Sequence, residues 1–241
     1  MPAREAQAAH LGRRAAPLRQ QECQLAQAGS RRWILSPPTD VCESMRGNMT
    51  RTSRQPMGYG SAPITLSWPE TGLSVEGLLV RLPTVSDVDA VISAFADPEL
   101  REAANLPPFT SEELIAQLPG LSALVASGRL APFVIVDAAS GAVIGGCNFN
   151  HFDSERRTVE LGYWLFSAAR GQGVATKVVR LLAQHAFAIG VMRVVAHVNV
   201  GNTASERVLE RAGFTREGVS RSMPVPSGRV DKSVFSLLPG E

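Results

Sequence analysis

The feature that most constrains this chain is a glycine-rich turn between a strand pattern and a helix pattern. The apolar run at residues 159–166 predicts a β-strand, and Arg170 to Ala175 read Arg-Gly-Gln-Gly-Val-Ala before an amphipathic segment begins. Glycine lets the backbone approach an anion closely, and the first turn of a helix presents unpaired N–H groups at the positive end of its dipole. The turn therefore predicts a cradle for a ligand that carries a diphosphate.

Two common phosphate-binding loops do not match this turn. A nucleoside-triphosphate loop ends in Gly-Lys-Ser or Gly-Lys-Thr, and that ending is missing here. A dinucleotide-binding turn needs a third glycine or alanine, where this chain has Thr176. The turn instead resembles the Q/R-x-x-G-x-G/A signature of the GNAT superfamily of acyl-CoA-dependent N-acetyltransferases. Arg170, Gly173 and Ala175 fill its three fixed positions.

Other segments resemble the same family in the expected order. Residues 202–205, Asn-Thr-Ala-Ser, begin a helix pattern that ends in Gly-Phe at 213–214. Residues 160–165 and 231–238 resemble the branch that acetylates the N-termini of ribosomal proteins. The resemblance covers roughly the last two thirds of the chain. It implies the α/β fold of GNAT proteins, a mixed, mostly antiparallel central sheet with helices on both faces.

The coarse pattern of elements agrees with such a fold. Leu78 to Leu82 predicts a first strand, a helix is expected from Ser86 or Asp87, and Thr110 to Glu113 have the spacing of a capping box. Strands are predicted at 131–136 and 142–152. The predicted order is β-α-α-β-β-β-α-β-α-β-β.

The resemblance implies acetyl-CoA as co-substrate and assigns residues to it. Backbone groups near Leu165, Phe166 and Ser167 are expected to pair with the pantetheine arm and to face the thioester oxygen. Asn202 is expected to contact the same arm, although its alternative role is that of a helix cap. The residues expected to bind the diphosphate are Arg170, Gly171, Gln172, Gly173, Val174, Ala175 and Thr176. A simple glycine turn joining strand to helix is the alternative.

Glu160 and Ser205 are the candidate catalytic residues. Glu160 lies in an otherwise apolar strand and resembles the family's glutamate base, while an exposed or ion-paired carboxylate is the alternative. Ser205 is the candidate for protonating the departing thiolate. Many family members carry a tyrosine acid four residues after this serine, but that position is Leu209 here.

The other side chains near these motifs are expected to be structural. Tyr163 and Trp164 are expected to pack in the core, and a lone histidine such as His197 is usually structural. Cys147 is expected to be a buried, inert thiol. The spacing of His, Cys, Asp and Glu suggests no metal site.

Composition divides the chain into two parts. Residues 1–60 contain nine Arg, no Lys and four acidic residues, so they carry about +5, while the remainder carries about −3. We therefore expect residues 1–72 to form a basic, disordered leader and linker, and residues 73–241 to form the acetyltransferase domain. The alternatives for the first segment are an organellar transit peptide, an RNA-binding leader, and an upstream start codon chosen over Met45, Met49 or Met57.

Cysteine count and hydropathy bear on location. Three cysteines without C-x-x-C spacing argue against a disulfide framework or a zinc knuckle. No apolar run approaches the roughly 18 residues of a membrane helix. The expected location is the cytoplasm, with no membrane partner. Because the larger part of the chain is mildly acidic, specific DNA binding is not expected.

The sequence thus predicts an N-acetyltransferase that moves an acetyl group from acetyl-CoA to a primary amine by direct attack in a ternary complex. The acceptor is a protein N-terminal α-amine or a small-molecule amine, and a homodimer is left open. The alternative is a non-catalytic module of the same fold that senses CoA or binds a protein.

Overall fold

A computed structural model describes residues 63–106 and 108–241. In this part of the chain the strands are β1 (Leu73–Val75), β2 (Leu78–Arg81), β3 (Leu130–Asp137), β4 (Val143–Asp153), β5 (Thr158–Leu165), β6 (Arg193–Asn199), β7 (Thr215–Val225) and β8 (Gly228–Leu237). The helices are α1 (Val88–Ala96), α2 (Pro98–Ala104), α3 (Ser111–Gln117), α4 (Leu121–Ala126), α5 (Val174–Ala188) and α6 (Thr203–Ala212). Short 3₁₀ turns lie at Val85–Asp87, Leu118–Gly120 and Ser167–Ala169.

All eight of these strands belong to one sheet in the order β1-β2-β3-β4-β5-β6-β8-β7. Neighbouring strands run antiparallel except β5 and β6, which are parallel. A parallel pair needs a crossover, and α5 supplies it between β5 and β6. The predicted class, a mixed and mostly antiparallel α/β sheet, is confirmed.

The main core lies between the sheet and α5. The buried side of α5 presents Val178, Val179 and Leu182, which share one apolar cluster with Phe149 of β4 and Leu161 of β5. Full burial of such a side chain stabilises the fold by about 1.5–3 kcal/mol. This packing holds the start of α5 firmly against the end of β5.

Helices α1 and α3 cover the opposite face of the sheet. Successive side chains of β3 point to opposite faces, so Phe133 joins the main core while Val134 packs with Val91 of α1. Leu114 of α3 packs against the same second cluster. The sheet therefore has helices on both faces, as the sequence predicts.

The predicted elements agree closely with the observed ones. The strands expected at 78–82, 131–136 and 142–152 correspond to β2, β3 and β4, and Thr110 caps α3 through its capping box with Glu113. Strand β1 and helix α2 were not predicted. The side chain of Asp97 caps α2 by accepting from the amides of Glu99 and Leu100, but seven residues give too little periodicity to read.

Packing begins before the predicted domain boundary at Leu73. Leu66 is buried, and the ring of Trp68 stacks on Phe133 with centroids 3.8 Å apart. The carbonyl of Ser67 lies 2.8 Å from Nε2 of His185 in α5. Residues 63–72 therefore belong with the domain rather than with the linker, while the predicted leader over 1–62 lies outside the described residues. Among the helices described, none is long and apolar enough to cross a membrane.

Candidate active site

A groove opens where β5 and β6 stop pairing. These strands are paired only over Thr158–Glu160 and Arg193–Val195. Past that point a cavity of about 740 Å³ is bordered by the ends of both strands, by α2, by the glycine turn and by the first turns of α6. A linear ligand in this gap would meet strand edges with free peptide groups, as an added strand does.

The glycine turn forms one end of the groove. Gly171 and Gly173 have φ angles of +76° and +77°, and apart from the adjoining residues no described atom lies within 4 Å of the place where a Cβ would stand on either. The amide of Lys177 bonds to the carbonyl of Gly173, so the amides from Gly173 to Thr176 precede the first intrahelical bond. These N–H groups lie at the positive end of a 15-residue helix. The arrangement suits a diphosphate.

Two side chains of the turn brace it rather than point to a ligand. Arg170 Nε donates to the carbonyl of Leu165 at 3.1 Å, and its Nη1 lies 3.6 Å from Glu99 Oε1 of α2. Gln172 Nε2 donates to the carbonyl of Ala168 at 2.7 Å. Arg170 thereby joins the end of β5 to α2 across the groove.

The backbone of β5 offers its edge to the groove at alternate residues. The amide of Phe166 donates to the carbonyl of Ile144 on β4 at 3.1 Å, so Phe166 faces β4. Because peptide groups alternate along a strand, those of Tyr163 and Leu165 face the gap towards β6. Ser167 is exposed and begins the 3₁₀ turn.

The structure brings most of the predicted cofactor residues to the groove. Phe166, Ser167 and Gln172 do not line it. Those that do are Leu165, Arg170, Gly171, Gly173, Val174, Ala175, Thr176 and Asn202, together with the catalytic candidate Ser205.

Asn202 and Ser205 form the opposite wall at the start of α6. Asn202 Oδ1 accepts from the amide of Ser205 at 3.1 Å, so Asn202 caps this helix. The carbonyl of Ser205 accepts from the phenol of Tyr163 at 3.1 Å. The first turn of α6 is therefore tied to β5 across the groove.

Glu160 lies at the point where the two strands part, between two histidines. His151 Nδ1 is 3.0 Å from Glu160 Oε2, and His197 Nδ1 is 3.2 Å from Oε1. The His197 nitrogen is buried and lacks a well-aligned hydrogen bond within the described part of the chain, although it lies beside Glu160. Burial raises the pKa of Glu160, but the interactions with both histidines outweigh it and lower the pKa to about 2.

The groups around Glu160 form a basic cluster. The bond to Glu160 raises the pKa of His151, whose side chain is 75% exposed. Burial lowers the pKa of Lys232, while the charge of Glu160 opposes that effect. Glu160 is therefore an ionised carboxylate whose charge is balanced by its neighbours.

Comparison with known proteins decides the family. A model described as the acetyltransferase (GNAT) domain matches residues 77–215, more than half of the chain. The chain belongs to the GNAT acetyltransferase family. It is 32% identical to the uncharacterised N-acetyltransferase p20 of Bacillus licheniformis over 175 residues, which cover 70% of this chain and 97% of p20.

Two further relatives extend this GNAT comparison. The ribosomal-protein-serine acetyltransferase of Escherichia coli is 30% identical over 122 residues, which cover 49% of this chain and 67% of that enzyme. The fold is also that of the microcin C7 self-immunity acetyltransferase MccE, solved in complex with acetyl-CoA and AMP. That match has a TM-score of 0.62 and 20% identity, and it covers 72% of this chain and 98% of MccE.

The site fits the ligand that a GNAT enzyme requires. GNAT enzymes use acetyl-CoA as co-substrate, and the free amides at the start of α5 match its diphosphate. Both glycines have a positive φ, a backbone conformation that L side chains rarely adopt, which explains why glycine stands at positions 171 and 173.

At the position four residues after Ser205, this GNAT chain departs from many family members. Leu209 is fully buried in the core and has no proton to donate. Tyr163 packs against the core as predicted, but it also lines the groove.

Sequence reasoning missed His151, His197 and Tyr163 as neighbours of the site. His151 follows Asn150, where the register between β4 and β5 shifts. Its φ of +49° interrupts the regular alternation of side chains between the two faces of the sheet. The contact of His197 with Glu160 depends on the parallel pairing of β5 and β6, which no local pattern reveals. The contact between the phenol of Tyr163 and the groove could not be predicted, because Tyr163 lies in an apolar strand pattern that is typical of core residues.

The remaining candidates for other chemistry are limited. In residues 63–106 and 108–241, no group of three or more His, Cys, Asp or Glu side chains is arranged to hold a metal ion. Cys147 is buried, and burial strongly raises the pKa of its thiol. This thiol is therefore a poor nucleophile at neutral pH.

Proposed function

We propose that this protein transfers an acetyl group from acetyl-CoA to a primary amine by direct attack in a ternary complex. The observation that carries the proposal is the row of free amides at the start of α5, opening into a groove along the unpaired edge of β5. The amides bind the diphosphate, and the peptide groups of Tyr163 pair with the pantetheine arm, as does the amide of Leu165, whose carbonyl already accepts from Arg170. The thioester then lies in the gap beyond Glu160.

The favoured acceptor is the α-amine of a protein N-terminus. With its pKa near 2, Glu160 is a weak base. An α-amine, with a reference pKa of about 7.7–8, needs far less help to lose its proton than a lysine at about 10.4. The Escherichia coli relative, named for a ribosomal-protein serine, supports a protein acceptor.

The charges around Glu160 argue against a polycationic small molecule. Both carboxylate oxygens of Glu160 are already in contact with a histidine, and Lys232 lies close by. A polyamine needs several uncommitted carboxylates to compensate its charges. A single terminal amine needs only one hydrogen-bonding group.

Glu160 receives the amine proton and passes it outward. Once the amine has attacked the carbonyl, its nitrogen is far more acidic than the free ammonium, so even a weak base can take the proton. His151 is 3.0 Å away, its pKa is raised and its ring is largely exposed. The ring of His151 can take the proton from Glu160 only after its own ring proton has passed to water, which its exposure allows.

Direct transfer is supported by the state of the described thiol. An acyl-enzyme route needs an activated nucleophile, and the raised pKa of buried Cys147 works against that role. The cytoplasm is the proposed location, where an unpaired thiol such as Cys147 stays reduced.

The test is an acceptor screen that measures release of CoA thiol from acetyl-CoA. The panel contains peptides beginning with Ser, Ala or Met, the same peptides with a blocked N-terminus and one free lysine, and spermidine. Free N-termini are expected to react fastest. Stabilisation of the protein by acetyl-CoA without thiol release for any amine would favour the non-catalytic CoA-binding alternative. A burst of acetylated enzyme in mass spectrometry would contradict direct attack.

A further inference from the structure

The phenol of Tyr163 occupies a distinctive place in the groove. Its ring packs against the core, and its hydroxyl donates to the carbonyl of Ser205 at 3.1 Å. It thereby reaches from the exposed edge of β5 to the first turn of α6. Tyr163 and Ser205 both line the groove that is proposed to bind acetyl-CoA.

Acetyl transfer needs a donor at the sulfur. The amine nitrogen forms a bond to the carbonyl carbon, the C–S bond breaks, and its electron pair stays on sulfur as a thiolate. A thiolate in a partly desolvated groove is costly without a hydrogen-bond donor. Leu209 cannot supply one, since its side chain is apolar and fully buried.

Tyr163 can exchange its present bond for one to sulfur at little cost. Ser205 lies inside α6, so its carbonyl also accepts the helical amide four residues on. The bond from Tyr163 is therefore additional, and losing it leaves no unsatisfied carbonyl. Rotation of the phenolic hydrogen redirects the donor without moving the ring.

The phenol keeps its proton at neutral pH. Burial disfavours the phenolate and raises the pKa of Tyr163 to about 12. A thiol is the stronger acid, with an ordinary pKa of about 8.5 for cysteine. Tyr163 therefore suits hydrogen-bond donation to a thiolate, and the proton that finally neutralises the thiolate comes from water.

We propose that the hydroxyl of Tyr163 donates a hydrogen bond to the sulfur of the departing CoA thiolate, in place of the missing tyrosine acid on α6. This inference rests on the proposed function, because it requires that coenzyme A lie in this groove. It makes Tyr163 a catalytic residue of this chain.

The test compares two ligands on two proteins by calorimetry. The ligands are coenzyme A and desulfo-CoA, in which hydrogen replaces the thiol group, and the proteins are the wild type and Tyr163→Phe. At about pH 9, where the thiol is substantially ionised, the substitution should weaken coenzyme A about tenfold, as expected for a hydrogen bond to a charged group. Desulfo-CoA should change less than twofold.

The outcomes separate this inference from the proposed function. If neither ligand binds the wild type, the proposed function fails. If both ligands bind and Tyr163→Phe weakens them equally or not at all, the phenol does not contact sulfur and the inference is overturned. Ser205→Ala, measured in parallel, examines the competing hydroxyl, and a loss specific to coenzyme A in that variant alone would assign the sulfur to Ser205.

A second measurement keeps the inference testable if Tyr163→Phe does not fold. The thiolate absorbance of coenzyme A bound to the wild type reports the pKa of the thiol in the complex. A hydrogen bond to the charged form should lower that pKa below the value for free coenzyme A. An unchanged or raised thiol pKa would overturn the inference.

Discussion

The two ends of the groove are built in different ways. At the start of α5 the proposed binding groups are main-chain amides, fixed by two glycines with positive φ and by the position of one helix. At Glu160 the functional groups are side chains from three strands, since His151 comes from β4, Glu160 from β5 and His197 from β6. The first end depends on local sequence, whereas the second depends on the assembled sheet.

Because the two ends are built differently, substitutions at one end should affect acetyl-CoA binding and substitutions at the other end should affect turnover. A change at the cradle alters how tightly acetyl-CoA is held, because it removes or blocks hydrogen bonds present before any chemistry occurs. A change around Glu160 should alter turnover, because in the proposed mechanism Glu160 receives the amine proton only as the amine attacks. Four substitutions test this separation.

The largest effect is expected from Gly173→Ala. A side chain at φ of +77° is strained, so the turn should shift and displace the amides proposed to hold the diphosphate. Loss of one or two hydrogen bonds to a charged phosphate should weaken acetyl-CoA about 100-fold, with kcat at saturation nearly unchanged. Isothermal titration calorimetry and steady-state kinetics measure both quantities.

Gly141→Ala is the matched control for the cradle. Gly141 has a φ of +73° with no described atom near its Cβ position, but it lies in the turn between β3 and β4 and does not line the groove. Both variants should lose about 1–2 kcal/mol of unfolding free energy from backbone strain. Equal acetyl-CoA affinity in the two variants would contradict the role of the cradle.

Glu160→Gln should show the opposite pattern. Removing a proton acceptor typically costs 100-fold or more, but an α-amine needs less assistance, so kcat should fall about 30-fold. Acetyl-CoA affinity should change less than twofold. Glu155→Gln, on the exposed turn before β5, is the control and should leave kcat unchanged. A Glu160 variant with normal kcat but weak acetyl-CoA binding would contradict the assignment of binding to the glycine turn and of turnover to Glu160.

A smaller effect is expected from His151→Gln, and its size depends on pH. The raised pKa of His151 means that its ion pair with Glu160 stabilises the fold fully below the ordinary histidine value. That stabilisation is lost as pH rises through the raised pKa. Because the ring is 75% exposed, urea unfolding should show a loss of only about 0.5–1 kcal/mol at pH 5.5 and none at pH 9.

The reverse pH trend would contradict this assignment. If the variant were less stable than the wild type only at alkaline pH, the ring of His151 would be held neutral rather than charged. The contact between His151 and Glu160 would then be a hydrogen bond to a neutral ring rather than an ion pair.

The smallest effect is expected from Asn202→Ala. Loss of the cap of α6 should reduce unfolding free energy by about 1 kcal/mol, as should Thr110→Ala at the cap of α3. Only Asn202→Ala should also weaken acetyl-CoA, by about threefold, because Thr110 does not line the groove. Equal acetyl-CoA binding in both variants would limit Asn202 to capping.

The same contrast explains what the sequence could predict. The glycine turn, the start of α6 and the order of the strands around them are local patterns of glycine, cap and periodicity, so they can be read from neighbouring residues. Asn202 was correctly recognised as a cap for the same reason. The residues of the glycine turn could therefore be predicted without knowing how the strands pair in the sheet.

The surroundings of Glu160 could not be predicted in this way. Its position in a strand was visible, but its histidine neighbours depend on a register shift in β4 and on a parallel pair that α5 closes over about 30 residues of chain. Tyr163 reaches Ser205 only because β5 and β6 diverge. Such contacts require long-range pairing, which local periodicity does not specify.

The most direct test of the central claim compares acetyl-CoA with acetyl-pantetheine, which has the same thioester and arm but no diphosphate. If the amides at the start of α5 hold the diphosphate, wild-type protein should bind acetyl-CoA at least about 100-fold more tightly in calorimetry. Gly173→Ala should remove most of that preference. Equal affinity of the wild type for the two molecules, or no binding of acetyl-CoA at all, would contradict the account.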